Sequence, residues 1–262
     1  MNHGINQQNV TCTTSSFYPH PSNGGGKGRG IFMGRTDMIK PYYEEDGIVI
    51  FHADCREILP HLPKVDLVLT DPPYGINTKS DGMGKISPWG DLCNSAFWYA
   101  DWLKMCRDKL ADTGCLWTFL NWRSMVTFQK ASCDMSWPIE SLLIWDKCWI
   151  GPGGTKGLRP SYEMVALFAM PLFSIADRGL PDIQRWQWSS HKPNGHPAEK
   201  PIKGVSWIAS ISGGDSILDP FMGSGTTLVA AKQLHRKAIG IEIEEKYCEI
   251  AVKRLGQGVL DI

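Results

Sequence analysis

After Pro41 the chain alternates short apolar runs with polar, turn-rich punctuation. Seven runs are short and apolar enough to be buried strands: Ile48 to Phe51, Val65 to Thr70, Cys115 to Leu120, Ser141 to Trp145, Val165 to Ala169, Ser216 to Leu218 and Ala238 to Ile243. Helical stretches lie among them, at Arg56 to His61, Ala96 to Leu110, Pro201 to Ile211, Gly225 to Leu234 and Glu245 to Leu255. Strands interleaved with helices predict an α/β doubly wound, mostly parallel sheet. Residues 1–37 contain Gly24-Gly25-Gly26 and show no apolar periodicity, so they are expected to be a disordered tail before a folded domain over 38–262. Met38 is an alternative start. Residues 171–195, with Pro, Gly and Trp, are expected to be irregular.

Two of the strand ends carry chemistry. Val65 to Thr70 stops at Asp71-Pro72-Pro73-Tyr74-Gly75. Ligands of open α/β sheets bind beyond the carboxyl ends of the strands. The two prolines remove two N–H donors, which leaves acceptors: the Asp71 carboxylate and backbone carbonyls. With the aromatic face of Tyr74 beside them, they suit a planar group bearing an NH2.

The second strand end is Asp219-Pro220-Phe221-Met222-Gly223-Ser224-Gly225-Thr226-Thr227, between a short strand and a helix. Gly223 and Gly225 permit a sharp turn and close approach of a ligand. The N-terminus of the following helix favours an anionic group. The next strand ends at Glu242, where an acid suits the two hydroxyls of a ribose. A phosphate-binding loop would need Lys where Thr226 stands. A dinucleotide fingerprint would need a third Gly where Leu228 stands. Neither rival accounts for Asp71 to Gly75.

Composition narrows the picture. Hydrophobic residues make up 42% and charged residues 21%, as in a globular protein. No apolar run approaches the roughly 20 residues that cross a bilayer, and the N-terminus lacks a signal-like apolar core, so a cytoplasmic location is expected. The eight cysteines are never closer than nine positions apart, which predicts reduced thiols and no metal site. Net charge is zero, but residues 1–40 carry +3 and residues 147–203 carry +4. A basic segment on a neutral chain is a candidate surface for phosphates.

The Asp71-Pro72-Pro73-Tyr74 string followed later by the Asp219 to Gly225 loop resembles the β-class DNA amino-methyltransferases, which act on N6 of adenine or N4 of cytosine. The resemblance runs from about Asp46 to Leu255 and includes Ile144-Trp145-Asp146-Lys147, Arg159, Tyr162-Glu163 and His196 to Pro201. It implies a circularly permuted, Rossmann-like methyltransferase sheet of seven strands and S-adenosyl-L-methionine as cofactor. Asp219, Pro220, Phe221, Gly223, Ser224, Gly225 and Thr226 are then expected to hold its methionine part. Glu242 would take the ribose, Asp54 would lie near the adenine, His196 and Lys200 would close the methionine end, and Asp71 is counted among the cofactor contacts. The partner would be double-stranded DNA with its target base flipped out of the stack. A homodimer is allowed, and no membrane contact is expected.

On this resemblance Asp71, Pro72, Pro73 and Tyr74 are the catalytic set. The Asp71 carboxylate and the Pro72 carbonyl receive the target amino group, and Tyr74 stacks on the base. An Asp at the first position tilts the target toward adenine. N4 of cytosine is the alternative; an inactive DNA-binding regulator and an enzyme acting on RNA or on a protein amide are the others. Attack on cytosine C5 would need a catalytic cysteine, and none lies between Cys55 and Cys93. DNA contacts are expected from Arg159, Arg178, Arg185, Trp186, Trp188 and Lys192, with target recognition centred on 171–195.

Overall fold

A computed structural model describes residues 39–73, 95–150, 156–188 and 199–257. Nine strands are described, all in one sheet: β1 (Tyr43–Glu45), β2 (Ile48–His52), β3 (Val65–Thr70), β4 (Leu110–Leu120), β5 (Ser141–Asp146), β6 (Tyr162–Ala169), β7 (Ile183–Arg185), β8 (Ser216–Asp219) and β9 (Lys237–Glu242). The helices are α1 (Cys55–Ile58), α2 (Ala96–Arg107), α3 (Met125–Asp134), α4 (Ile202–Ile211), α5 (Thr226–Gln233) and α6 (Glu245–Gly256). The expected 1–37 tail lies outside the described residues.

The strands lie side by side in the order β1-β2-β9-β8-β3-β4-β6-β5-β7. From β2 to β4 every pairing is parallel, β6 runs against its neighbours β4 and β5, and the edge strand β1 runs against β2. The last two described strands, β8 and β9, therefore fill the middle, between β2 and β3. This is the permuted α/β sheet expected from the sequence, with nine strands instead of seven.

The two additional strands are three residues long and lie at the two edges. β1 and β7 are largely exposed, so neither carries a burial pattern. A local signal for β1 does exist. Asp46 and Gly47 both have positive φ, 51° and 80°, and form the two-residue turn between Glu45 and Ile48. Asp-Gly is favoured at such a turn because both positions need that backbone. The helical stretch from Arg56 is one turn of α1 followed by a 3-10 turn, Leu59–His61. β4 starts five residues before Cys115, across an irregularity in its pairing with β3.

Alternation along the strands divides the core into two layers. Leu67, Leu69, Trp117, Phe119 and Val165 pack with Val205, Ile208, Leu228 and Ala251 of α4, α5 and α6. Val68, Leu116, Leu218 and Ile241 pack on the other face with Ile58, Tyr99, Trp102 and Phe128 of α1, α2 and α3. A sheet covered on both faces requires near-continuous apolar strands, which is what makes these runs legible. Among the described residues no helix is long and apolar enough to cross a membrane.

Two ties fix β3 beside β8. At their start, Asp66 Oδ2 accepts from Ser216 Oγ at 2.7 Å and from the Asp215 backbone N–H at 2.9 Å. At their end, Thr70 Oγ1 donates to Asp219 Oδ1 at 2.7 Å. The turn after β8 then closes on Gly225, the N-cap of α5, at φ 79°. A Cβ on Gly225 would lie 2.7 Å from the Ala251 Cβ of α6. Gly225→Ala therefore adds a left-handed strain to a steric overlap. It should lower unfolding free energy by about 2 kcal/mol, read as a lower urea midpoint at unchanged m-value.

Candidate active site

The carboxyl ends of β2, β9, β8 and β3 lie next to one another, and an acid stands at or just past each: Asp54, Glu242, Asp219 and Asp71. The turn at Asp71 and the glycine loop, far apart in sequence, meet here through the Thr70 to Asp219 bond.

Each acid is held differently. Asp54 caps α1, accepting from the Arg56 N–H at 2.9 Å, and pairs with the Arg56 guanidinium at 2.6 Å. That bonding pulls its pKa below the usual carboxylate range. Glu242 accepts backbone N–H groups on both oxygens, from Gly223 and Glu244, each at 2.9 Å. Burial still pushes its pKa up. Asp219 is 3% exposed and also accepts from the Phe221 N–H at 3.1 Å. Burial raises its pKa to about 6, against hydrogen bonds from Thr227, Thr70 and the Phe221 N–H and with the charge of Asp71 adding to the rise.

Asp71 is paired with Lys200, Nζ to Oδ2 at 2.6 Å. Lys200 also lies 3.2 Å from Glu163 of β6, whose other oxygen lies 2.5 Å from Lys147 Nζ. On the other side of the glycine loop, Arg254 of α6 pairs with Glu199 at 3.0 Å. It also donates to the Ser224 carbonyl and hydroxyl and to the Thr226 hydroxyl, at 2.8, 3.0 and 3.1 Å. Residues 199 and 200 thus bridge the glycine loop and Asp71.

A DNA methylase family model for N6 and N4 methyltransferases matches residues 65–174 and 176–253. The chain belongs to that family. The methylase uses S-adenosyl-L-methionine to methylate DNA. M2.LlaDCHI of Lactococcus lactis subsp. cremoris, a type II methyltransferase, is 29% identical over 254 residues, 84% of this chain and 94% of that one. The M1.HpyAVI–SAM complex superposes with a TM-score of 0.62 at 25% identity, covering 80% of this chain and 99% of that one. The cytosine-N4-specific PvuII DNA methyltransferase shares the fold, with a TM-score of 0.68 at 17% identity, covering 86% and 92%.

The residues of the methylase fit that cofactor. A cavity at the ends of β2 and β9 has apolar walls, Trp98 and Phe221, whose rings lie 5.9 Å apart between centroids. Asp54, Glu242 and Pro220 also line it. Apolar walls suit a planar base, and a backbone-fixed carboxylate retains lone pairs for a diol. Ser224 and Thr226 are engaged by Arg254. Gly223 and Gly225 bend the loop at φ 51° and 79°.

Other expected residues fall as follows. Pro72 is buried and Pro73 half-buried after β3, whereas Tyr74, Lys192 and His196 lie outside the described residues. Arg159 and Arg178 are exposed, and Arg185 pairs with Asp146 at 3.0 Å. Trp186 is half-buried, packs on Trp207 and covers Gly204, where no Cβ would fit. Trp188 stacks on Trp149 with centroids 4.2 Å apart. Lys147, Glu163 and Glu199 stood in the resemblance without a role, and their contacts, with those of Thr70 and Arg254, come from the structure. The available clue was an acid, Glu163, at the head of the apolar run Met164 to Ala169.

The raised pKa of Asp219 has a definite sign. The folded state binds its proton more tightly than the unfolded chain, so stability falls as pH rises from about 4 to about 6. The span is worth roughly 3 kcal/mol. Urea unfolding of the parent and Asp219→Asn at pH 4.5 and 7 should show the variant gaining about 2 kcal/mol at the higher pH, because pH 4.5 already lies above the unfolded pKa. A difference independent of pH would contradict the shift.

Proposed function

We propose that the methylase transfers the methyl group to N6 of adenine in double-stranded DNA, with the target base flipped out of the helix. The observation that carries this is a carboxylate, Asp71, at the carboxyl end of β3, held at 2.6 Å by a buried ammonium. The two N–H bonds of an adenine amino group need two acceptors. Asp71 and the Pro72 carbonyl offer them, and the prolines present no competing N–H. Such acceptors draw the nitrogen lone pair out of conjugation with the ring and aim it outward. Bound S-adenosyl-L-methionine supplies a methyl group on a cationic sulfur, a good leaving group. The work of the chain is then alignment and electrostatics. Lys200 keeps the carboxylate in one orientation, and Tyr74 is assigned to stack on the base.

Flipping is required because N6 of a stacked adenine is out of reach of a sheet edge. The exposed Arg159, Arg178 and Arg185, with Lys192, are assigned to phosphates. Trp188, stacked on Trp149 beyond the end of β5, is assigned to the face that meets the bases. Trp186, which covers Gly204, is assigned to holding that segment down.

Transfer from labelled cofactor to duplex DNA, followed by digestion to nucleosides, should give N6-methyladenine. N4-methylcytosine as the product would replace the adenine reading with its rival. Asp71→Ala should lower kcat by about 100-fold or more while cofactor binding by calorimetry is retained. Undiminished transfer by the folded variant would overturn the role of Asp71.

A further inference from the structure

Four side chains from four segments form a line of alternating charge: Asp71 after β3, Lys200 before α4, Glu163 in β6 and Lys147 after β5. The contacts along it are 2.6, 3.2 and 2.5 Å. The side chains are 24, 9, 17 and 14% exposed in that order, so water shields none of the contacts well. Aromatic faces back both cations, Phe119 at 5.1 Å from Lys200 and Trp145 at 5.5 Å from Lys147.

We propose that Glu163 is a positioning residue for methyl transfer: it anchors the Lys200 ammonium and keeps its proton on nitrogen, so that Asp71 meets the target amine as an oriented carboxylate. The inference rests on the reading of Asp71 as the acceptor of that amine. A desolvated ammonium facing a single carboxylate can return its proton to it, giving a neutral amine and a carboxylic acid. The acid has lost the negative charge that the target N–H groups need. A second carboxylate on the same ammonium opposes that transfer. Burial drives the Lys200 pKa down, yet Asp71 and Glu163 together hold it above its ordinary value. Burial likewise drives Glu163 up, and Lys200 and Lys147 together hold it below the usual range.

Among the described residues, the other charges near the line have partners of their own. Asp219 at the end of β8 acts on Asp71 from the side and is bonded to Thr70. Glu199 is paired with Arg254, and Asp146 with Arg185. Lys147 balances Glu163. Removing Lys147 therefore commits the charge of Glu163 to Lys200 alone, whereas removing Glu163 leaves Lys200 with less negative charge. The two substitutions act on Lys200 in opposite directions, although both break the same buried cluster.

The test uses the full chain, with duplex DNA and cofactor, across pH 6 to 10. Glu163→Gln should lower kcat at pH 8.5 by about 10-fold or more, with both KM values within about threefold. Its alkaline limb in kcat should move to lower pH by about one unit. Lys147→Met should leave that limb in place or move it upward, and Glu163→Asp should recover part of kcat. In the cofactor-free protein, the 13Cε-lysine resonance of Lys200, assigned through Lys200→Arg, should titrate lower in Glu163→Gln and no lower in Lys147→Met. A parental kcat and limb in Glu163→Gln, or limbs moved downward in both variants, would overturn the proposal. Should Glu163→Gln not fold, the limbs and resonances of Lys147→Met and Glu163→Asp decide it: a downward shift in the first, or no loss of kcat in the second, overturns it. Asp71→Ala run alongside separates the two readings. If it transfers at the parental rate, the role of Asp71 fails. If it is inactive while Glu163→Gln is parental, only the role of Glu163 fails.

Discussion

Parallel pairing of β3 with β8 joins segments about 150 residues apart, and side chains fasten it at both ends. Asp66 binds the head of β8, and Thr70 binds the tail through Asp219. The acceptor turn after β3 and the glycine bend after β8 each depend on this pairing for their place. Because the flanking pairings are also parallel, every strand from β2 to β4 delivers its carboxyl end to the same edge. The sheet does not need to bring loops together there; its register does so.

Gathering acids at one edge has an electrostatic cost, and the chain meets it locally. Glu242 and Asp219 are stabilised as anions by backbone N–H groups and hydroxyls, and burial still raises both of their pKa values. Asp54 and Asp71 are answered instead by full positive charges, Arg56 and Lys200. The division follows position. The two acids in the middle of the edge are served by dipoles of the loop that bends around them, and the two outer ones by cations. Buried ion pairs contribute little to stability on balance, because desolvation offsets their attraction. That applies to Lys200 with Asp71, which is largely buried, and less to Arg56 with Asp54, where the guanidinium is exposed.

Much of this was legible from the residues. The seven long strands could be read because a sheet covered on both faces needs apolar runs, and Asp71, Asp219 and Glu242 could be read because each ends such a run. β1 and β7 were hidden by their length and exposure. α3 was hidden because its sequence, Met125 to Asp134, mixes Val, Thr and Ser into an ordinary helical spacing. The contacts of Lys147 and Glu163 were hidden for a different reason. Their partner in the line comes from the segment before α4, and no local pattern announces a contact between β6 and that segment. Lys200 was expected beside the cofactor on the strength of resemblance. Its ion pairs with Asp71 and Glu163 are what only three-dimensional placement could reveal.

The late position of β8 and β9 in the chain has a consequence for biosynthesis. While the polypeptide emerges from the ribosome, β2, β3 and β4 are made long before the two strands that separate β2 from β3. Until those arrive, β2 and β3 each present an open edge with unpaired backbone groups, a surface prone to mispairing. The sheet closes only when its last-made strands slide between its first-made ones. Such non-local pairing is slow, so the open edges persist for an interval in which chaperones can bind them.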